Sequence, residues 1–183
     1  MRILITGAAG SGSTTVGRAV STALGAAFFE ADDYFWLPTD PPFRCKRDMD
    51  RRLSLILEDL NKVSSAVLAG SVVDWGKEIE DSFSSIVFLT APASIRVPRL
   101  REREVARFGH ADPSFLEWAA QYDEGRMAGR SLKKHEGWLS ARRCPILRID
   151  GDITVKESTA RILRALSNPT IERDGPQTAH PSL

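Results

Sequence analysis

The sequence has few of the features that would set it apart from an ordinary globular protein. Its two cysteines, Cys45 and Cys144, lie far apart and outside any metal-ligand spacing, so we expect reduced thiols and neither a disulfide scaffold nor a zinc site. His110 and His135 show no metal-ligand spacing either, and neither is assigned a catalytic role. Lys and Arg (25) nearly balance Asp and Glu (24), so a nucleic-acid partner held by bulk charge is not expected.

Long apolar runs are also missing, and no stretch approaches the length of a membrane span. The apolar run 3–5 is short and ends in a glycine-rich loop, which does not fit a signal peptide. We therefore expect a cytoplasmic protein without a membrane partner. The chain of 183 residues is long enough for one domain with a proper core. Since 167–183 is polar, contains prolines and lacks periodicity, we expect one domain over 1–166 followed by a flexible tail.

The stretch 2–15, with the sequence RILITGAAGSGSTT, predicts a phosphate-binding loop. Its apolar run indicates a buried strand, Gly7, Gly10 and Gly12 follow in close succession, and a helical apolar period begins after Thr15. Glycines allow successive backbone N–H groups to point inward, and the N-terminus of the helix adds partial positive charge. This arrangement favours a polyphosphate ligand.

The spacing from Gly7 to Thr14 matches the motif G-x-x-x-x-G-K-[ST], except that Ser13 stands at the lysine position. The backbone cradle and a hydroxyl for magnesium are kept, but the cation that reaches the outer phosphates is missing. A tight turn without a ligand is the alternative, and the dinucleotide fingerprint fails because Thr15 stands where it needs glycine. We assign Thr14 as the first magnesium ligand, and phosphate binding to Gly7, Gly10, Ser11, Gly12, Ser13, Thr14 and Thr15.

Strand-like and helix-like segments alternate along the rest of the chain. Short apolar runs at 27–29, 67–69, 86–89 and 145–149 are separated by segments with helical periodicity. This alternation predicts an α/β fold, in which a parallel sheet carries helices on both faces. The stretch 34–52 contains prolines and mixed charges, which predict a loop over the sheet.

Acidic residues follow the second predicted strand. Asp32 and Asp33 are adjacent, so on an extended chain they point to different sides, and only one should face the phosphate loop. We favour Asp32, as the base for an acceptor hydroxyl or as an outer-shell magnesium partner, with capping of a turn as the alternative. Glu30 is expected to be structural. The candidates for binding the acceptor are Asp33, Trp36 and, after the third strand, Ser71.

Arginines could supply the positive charge that the loop lacks. Arg96, Arg99 and Arg103 recur on one helical face after the fourth strand. Arg99 and Arg103 are candidate substrate contacts, and a solvated basic face is the alternative. Arg126 and Arg130 lie in a glycine-flanked segment suited to closing over a nucleotide, where they could neutralise a transferring phosphoryl group.

Together these residues resemble the small P-loop kinases of the adenylate kinase and shikimate/gluconate kinase type. The resemblance covers about residues 1–166 and is carried by ITGAAGSGSTT, FFEADDYFW, VLAGSVVDWG and SSIVFLTAPASIRVPRLRERE. It looks closest to the adenylate kinase-related or topology-modulation proteins, which share an Asp-x-x-x-Trp pattern like that from Asp32 to Trp36. The resemblance implies a three-layer P-loop NTPase fold with a five-stranded parallel sheet, ATP and Mg²⁺ on the first loop, an acceptor-binding segment at about 33–64 and an arginine lid at about 108–140.

The leading hypothesis is an ATP-dependent phosphotransferase that acts on a nucleotide or another small-molecule acceptor, as a monomer or homodimer. Ser13 at the lysine position favours a rival, a catalytically weak nucleotide-binding regulatory module or a slow NTPase without an acceptor. The carboxylates and the lid arginines favour the enzyme. The acceptor segment lacks a clear adenylate kinase pattern, so AMP is one candidate among several.

Overall fold

A computed structural model describes residues 1–168, so nearly all of the predicted tail at 167–183 lies outside the described residues. Five strands form one sheet in the order β2-β3-β1-β4-β5, and every pairing between neighbours is parallel. This confirms the predicted α/β class and the five-stranded parallel sheet. The strands are β1 (Arg2–Gly7), β2 (Ala27–Glu30), β3 (Ala66–Ala69), β4 (Ser85–Thr90) and β5 (Ile146–Asp150).

Eight helices accompany the strands within residues 1–168, and none of them is both long and apolar enough to cross a membrane. The short helices α2 and α4 were not expected from periodicity. The predicted loop at 34–52 is shorter than expected, because α3 begins where the Asp48 carboxylate caps the amides of Asp50 and Arg51. The helices are α1 (Ser13–Leu24), α2 (Ala31–Phe35), α3 (Met49–Asn61), α4 (Lys77–Glu80), α5 (Ala93–Phe108), α6 (Pro113–Ala120), α7 (Leu132–Ser140) and α8 (Val155–Ser167).

Apolar side chains cover both faces of the sheet. On β1, Leu4 belongs to one buried cluster, which includes side chains of α3 and α7. Ile3 and Ile5 point to the other face and pack with side chains of α1 and α8. Because Trp138 and Leu139 lie in the first cluster, helix α7 packs as part of the domain core, although the predicted lid segment included it.

Helix α1 lies close against the sheet because Gly17 has no side chain. A Cβ atom at this position would lie 3.0 Å from the ring of Phe28 and 3.1 Å from the Cβ atom of Ala69. The close packing holds the N-terminus of α1 above the C-terminal end of β1, where the predicted phosphate loop lies.

A fully buried arginine, Arg96, connects three parts of the chain. Its Nε atom donates to the carbonyl of Ala91 at 2.8 Å, and its Nη1 atom donates to the carbonyls of Ala9 at 3.2 Å and Ala119 at 3.0 Å. Its Nη2 atom forms an ion pair with Asp123 at 3.0 Å. A solvated basic face, which was the alternative for the arginines of α5, is therefore wrong for Arg96, because α6 and the phosphate loop cover that side of the helix.

Candidate active site

The loop between β1 and α1 has the backbone shape that the glycine spacing predicts. Gly10 and Gly12 have φ angles of +83° and +95°, in the left-handed region that favours glycine. A Cβ atom on Gly10 would lie 2.6 Å from the carbonyl oxygen of Arg96, whereas one on Gly12 would meet nothing within 4 Å. Gly10 is thus required by close packing, and Gly12 faces open space at the start of α1.

The first turn of α1 offers hydrogen-bond donors to a ligand. Gly12 caps the helix without a side-chain hydrogen bond. Within the described part of the chain, the amide N–H groups of Ser13, Thr14 and Thr15 have no acceptor. The Oγ atom of Ser11 is also buried without a partner. Unpaired amides at a helix N-terminus attract anions, since the helix dipole adds to their partial positive charge.

A cleft of about 220 Å³ opens beside this loop. Its walls come from the loop, from the C-terminal ends of β4 and β5, and from the start of α8. Arg99 lines this cleft and forms an ion pair with Asp152, so it stands on the β4–β5 side of the loop. Further lining residues are Ser11, Thr15, Gly151 and Ile153.

Glu30 brings a carboxylate to the predicted magnesium ligand, although we expected it to be structural. The Thr14 hydroxyl donates to its Oε1 atom at 2.7 Å, and Arg18 forms an ion pair with its Oε2 atom at 3.2 Å. Within residues 1–168, no group of three or more His, Cys, Asp or Glu side chains could hold a metal ion. A cation at Thr14 would therefore take most of its ligands from bound phosphate and water, as Mg²⁺ commonly does.

Asp32 and Asp33 lie in the short helix α2 and not on an extended chain. Solvent reaches the side chain of Asp32, yet burial among the surrounding protein atoms raises its pKa. The Asp32 side chain is therefore open to solvent, while the protein atoms around it make its charged form less favourable. Partial burial also raises the pKa of Asp33, and the carboxylates of Glu30 and Asp32 add to the effect.

The two predicted lid arginines occupy different environments. Burial has the largest effect on the pKa of Asp32 and raises it. Among the arginines that lower this pKa, Arg130 has the largest effect, followed by Arg103 and Arg107. The guanidinium group of Arg130 also lies 5.4 Å from the centre of the Trp118 ring. Arg126, in contrast, is 73% exposed and forms an ion pair with Glu124. The structure therefore brings Arg130 and Arg103 towards the predicted base, and it leaves Arg126 in solvent.

Trp36 lies in an aromatic cluster that joins the predicted acceptor segment to α5. Its ring contacts Phe35 edge-on with centroids 4.8 Å apart, and Phe43 with centroids 6.1 Å apart. Phe43 in turn contacts Phe108 at 6.5 Å. Arg107 lies within 5.2 Å of the centres of both of these phenyl rings. Aromatic side chains and a cation thus connect the end of α2 to the end of α5.

Arg52 is a candidate binding residue that the sequence did not reveal, because it stands at the end of the predicted loop and outside the helical period. It is only 7% exposed. Its guanidinium group lies 4.9 Å from the ring of Phe35 and 4.8 Å from that of Trp75. Its Nε atom has no hydrogen-bond partner among the described residues, and burial lowers its pKa. The guanidinium charge thus lies beside two aromatic rings, and an arginine side chain is the usual partner for a carboxylate or phosphate group.

Ser71 follows β3 and forms a hydrogen bond with His135, to which we assigned no catalytic role. The Oγ atom of Ser71 lies 3.1 Å from Nε2 of His135, and the hydroxyl of Tyr122 lies 2.5 Å from Nδ1. His135 is 1% exposed, and burial lowers its pKa to about 4. The imidazole is therefore neutral at physiological pH.

This buried histidine predicts a loss of stability in acid. Between pH 6.5 and 4 the unfolded chain binds a proton at His135 that the folded chain does not, so the free energy of unfolding decreases as the pH falls. The shift from 6.5 to about 4 corresponds to about 3 kcal/mol. Urea denaturation at several pH values measures the effect.

Two glutamine variants, one test variant and one matched control, assign the effect to His135. His135→Gln should lose this pH-dependent component, whereas His110→Gln, at an exposed position, should keep it. Equal pH dependence in the wild type and His135→Gln would contradict the assignment.

Comparison with known proteins extends these observations. The profile of a family described as an AAA domain matches residues 3–107, which run from the phosphate loop to the end of α5. The chain is 37% identical over 176 residues to a Bacillus subtilis (strain 168) protein described as uncharacterized protein YqaC, and the match covers 91% of this chain and 97% of that protein.

Solved structures of several kinases share the fold. A shikimate kinase from Bacteroides thetaiotaomicron superposes with a TM-score of 0.60 at 18% identity, covering 91% of this chain and 98% of that one. A deoxyadenosine kinase from M. mycoides gives 0.56 at 16% identity, with coverages of 91% and 99%. A gluconokinase from Sinorhizobium meliloti 1021 gives 0.52 at 21% identity, with coverages of 92% and 97%. The chain therefore belongs to the AAA domain family and has the fold of the small P-loop kinases.

Proposed function

We propose that this protein is an ATP-dependent kinase that phosphorylates a hydroxyl group of a small anionic acceptor. The observation that carries the proposal is the arrangement at the C-terminal edge of the sheet. There the free amides of α1 lie beside the contact between Thr14 and Glu30. The carboxylate of Asp32 follows directly in α2. A phosphate cradle, a cation site and a base are the parts that phosphoryl transfer requires.

On this proposal, the triphosphate of ATP binds to the amides of Ser13, Thr14 and Thr15. The neighbouring cleft of about 220 Å³ receives the nucleoside, with Arg99 in its wall. Ser13 cannot provide the charge of the usual lysine. Arg130, whose guanidinium acts on the pKa of Asp32, is the lid cation that we assign to the migrating phosphoryl group.

The contact between Thr14 and Glu30 fits a magnesium ion. Because the Thr14 hydroxyl donates its proton to Glu30, its oxygen lone pairs remain free for a cation. Glu30 would then accept hydrogen bonds from the water ligands. Bound Mg²⁺ supplies charge neutralisation to the phosphate oxygens.

Asp32 accepts the proton of the acceptor hydroxyl, and Arg52 binds an anionic group elsewhere on the same molecule. The role of Asp32 is supported by its exposure to solvent, and its raised pKa makes the carboxylate a better proton acceptor. The role of Arg52 is supported by its charge and by its position beside the rings of Phe35 and Trp75, in the predicted acceptor segment and after β3. The aromatic cluster at Trp36 would pack against the body of the acceptor.

Calorimetry with ATP and Mg²⁺ tests the nucleotide site. We expect the wild-type chain to bind, and Gly12→Val to lose affinity by more than about 100-fold, because a side chain at Gly12 fills the space through which phosphate approaches the backbone. Gly25→Val is the matched control, since Gly25 caps the other end of α1, also with positive φ and open space. Equal affinities of the two variants would overturn the assignment of the loop.

A nucleotide-binding regulatory module is the second candidate, and Ser13 at the lysine position favours it. Incubation with ATP, Mg²⁺ and an acceptor panel separates the two functions. The panel contains shikimate, gluconate, deoxyadenosine and nucleoside monophosphates, of which the first three are suggested by the names of the structural neighbours. Phosphorylation of an acceptor at a rate well above that of ATP hydrolysis supports the kinase. Tight binding of ATP without turnover supports the regulatory module.

A further inference from the structure

Three side chains form a hydrogen-bonded chain from the core to the C-terminal edge of the sheet. Tyr122 follows α6, His135 lies in α7, and Ser71 follows β3. The ring of His135 also contacts Phe88 of β4 edge-on, with centroids 5.7 Å apart. Apolar packing on this side leaves the two ring nitrogens with Tyr122 and Ser71 as their partners among the described residues.

The direction of these hydrogen bonds follows from the inventory of donors. Tyr122 is 5% exposed, and among the described residues its hydroxyl contacts only Nδ1 of His135. Its proton must therefore go to Nδ1, since burial raises the pKa of Tyr122 and keeps the phenol protonated. A neutral imidazole that accepts at Nδ1 carries its own proton on Nε2 and donates it to Ser71.

The oxygen of Ser71 is consequently occupied as an acceptor. It accepts a hydrogen bond from Nε2 of His135 at 3.1 Å and a second one from the backbone amide of Val73 at 3.5 Å. The hydroxyl proton of Ser71 has no acceptor within the described residues. Gly70, the preceding residue, lies against Ala31, where an added Cβ would be 2.8 Å from the Ala31 side chain. Ser71 thus directly follows a residue that packs against the first residue of α2, the helix that carries Asp32.

We infer that Tyr122 and His135 fix Ser71 as a hydrogen-bond donor to the acceptor molecule, which must present a lone pair beside the hydroxyl that is phosphorylated. His135 and Tyr122 are positioning residues, and Ser71 makes the contact. That the ligand of Ser71 is the acceptor molecule rests on the proposed kinase function. The direction of the hydrogen bonds from Tyr122 through His135 to Ser71, which we call the relay, does not depend on it. Among the ligands that fit Ser71 are carboxylate, hydroxyl and carbonyl oxygens.

Burial is the main cause that lowers the pKa of His135 and keeps its ring neutral, and two charged groups near the ring act in opposite directions. Arg130 precedes α7 and disfavours a second proton on the ring, whereas Glu136 favours it. The ring also meets Phe88, Tyr122 and Ser71, which carry no charge. An imidazolium carries a proton on both nitrogens, so its Nδ1 could no longer accept a hydrogen bond from the Tyr122 hydroxyl. The relay therefore requires a neutral ring, and the hydrogen bond from Tyr122 in turn favours the neutral ring.

Nuclear magnetic resonance of the full chain with nitrogen-15-labelled histidine tests the direction. Long-range proton–nitrogen spectra distinguish the two tautomers, and His135→Gln assigns the signals. We expect the Nε2–H form of His135 between pH 8 and 5, and a mixture of tautomers in Tyr122→Phe. An Nδ1–H ring, or an imidazolium signal at pH 6.5, would overturn the relay.

Kinetics with the acceptor panel test the contact from Ser71. Ser71→Ala should raise the KM for the acceptor by about 10-fold and leave the KM for ATP unchanged, with Ser71→Thr retaining most of the affinity. An unchanged acceptor KM in Ser71→Ala would overturn the contact. The two failures are distinguishable: absence of ATP binding by the wild type counts against the kinase, and the wrong tautomer counts against the relay alone.

Discussion

Replacing Asp32 by asparagine should lower acceptor phosphorylation by about 10²- to 10⁴-fold, the usual effect of removing a general base. Asparagine keeps the shape of the side chain but cannot take the acceptor proton. Binding of ATP with Mg²⁺ should persist, because the proposed function assigns the phosphates to the amides of Ser13, Thr14 and Thr15. Steady-state kinetics for the acceptor, together with calorimetry for ATP, separate the two effects.

Asp33→Asn is the matched control, since it removes a neighbouring carboxylate from the same short helix. Activity of the wild type should fall in acid as Asp32 takes up a proton, at a pH above the ordinary value of 3.8, because burial raises this pKa. Asp33→Asn should keep that pH dependence and most of kcat, and its effect should fall on the KM for the acceptor, since Asp33 is a candidate contact to that molecule. Equal loss of kcat in both variants would show that Asp32 is not the base.

Replacing Arg96 by alanine is expected to reduce the free energy of unfolding by about 3–5 kcal/mol, the range for removing one partner of a buried charged network. The side chain is fully buried and donates to three backbone carbonyls as well as to Asp123. Its removal leaves buried carbonyls without a donor and opens a cavity between α5, α6 and the phosphate loop. Urea denaturation of purified protein measures the change.

Arg99→Ala on the same helix serves as the control and should cost less than about 1 kcal/mol, because its ion pair with Asp152 is about half exposed. If Arg96→Ala does not fold, Arg96→Lys provides the measurement. Lysine keeps the charge but cannot reach the separate acceptors with one ammonium group. A loss as small as that of Arg99→Ala would contradict the network described for Arg96.

Much of the fold could be predicted because its signals are local. The run 3–5, the glycines that follow and the helical period after Thr15 stand together in the sequence, and the same kind of short apolar run marks the other strands. The glycine conformations follow from the same spacing, since Gly10 and Gly12 have the positive φ angles that such a loop requires.

The remaining parts of the site depend on contacts between distant segments. Glu30 meets Thr14 only because β2 and α1 are brought together at one edge of the sheet, and no pattern within either segment shows this. Helical spacing grouped Arg96 with Arg99, but it could not tell which side of α5 another element covers. His135 was passed over because a buried histidine is recognisable only from its neighbours in space.

The position of β1 between β3 and β4 has a consequence for how this protein and its relatives can diverge. The groups proposed to contact the acceptor directly, Asp32, Arg52 and Ser71, follow β2 and β3, whereas the cleft proposed for the nucleoside lies between the phosphate loop and the ends of β4 and β5. Mutations in one half of the sheet can therefore alter the preference for the acceptor and leave the preference for the nucleotide unchanged, or the reverse. A common scaffold can in this way acquire new phosphoryl acceptors over evolutionary time while its energy donor stays the same.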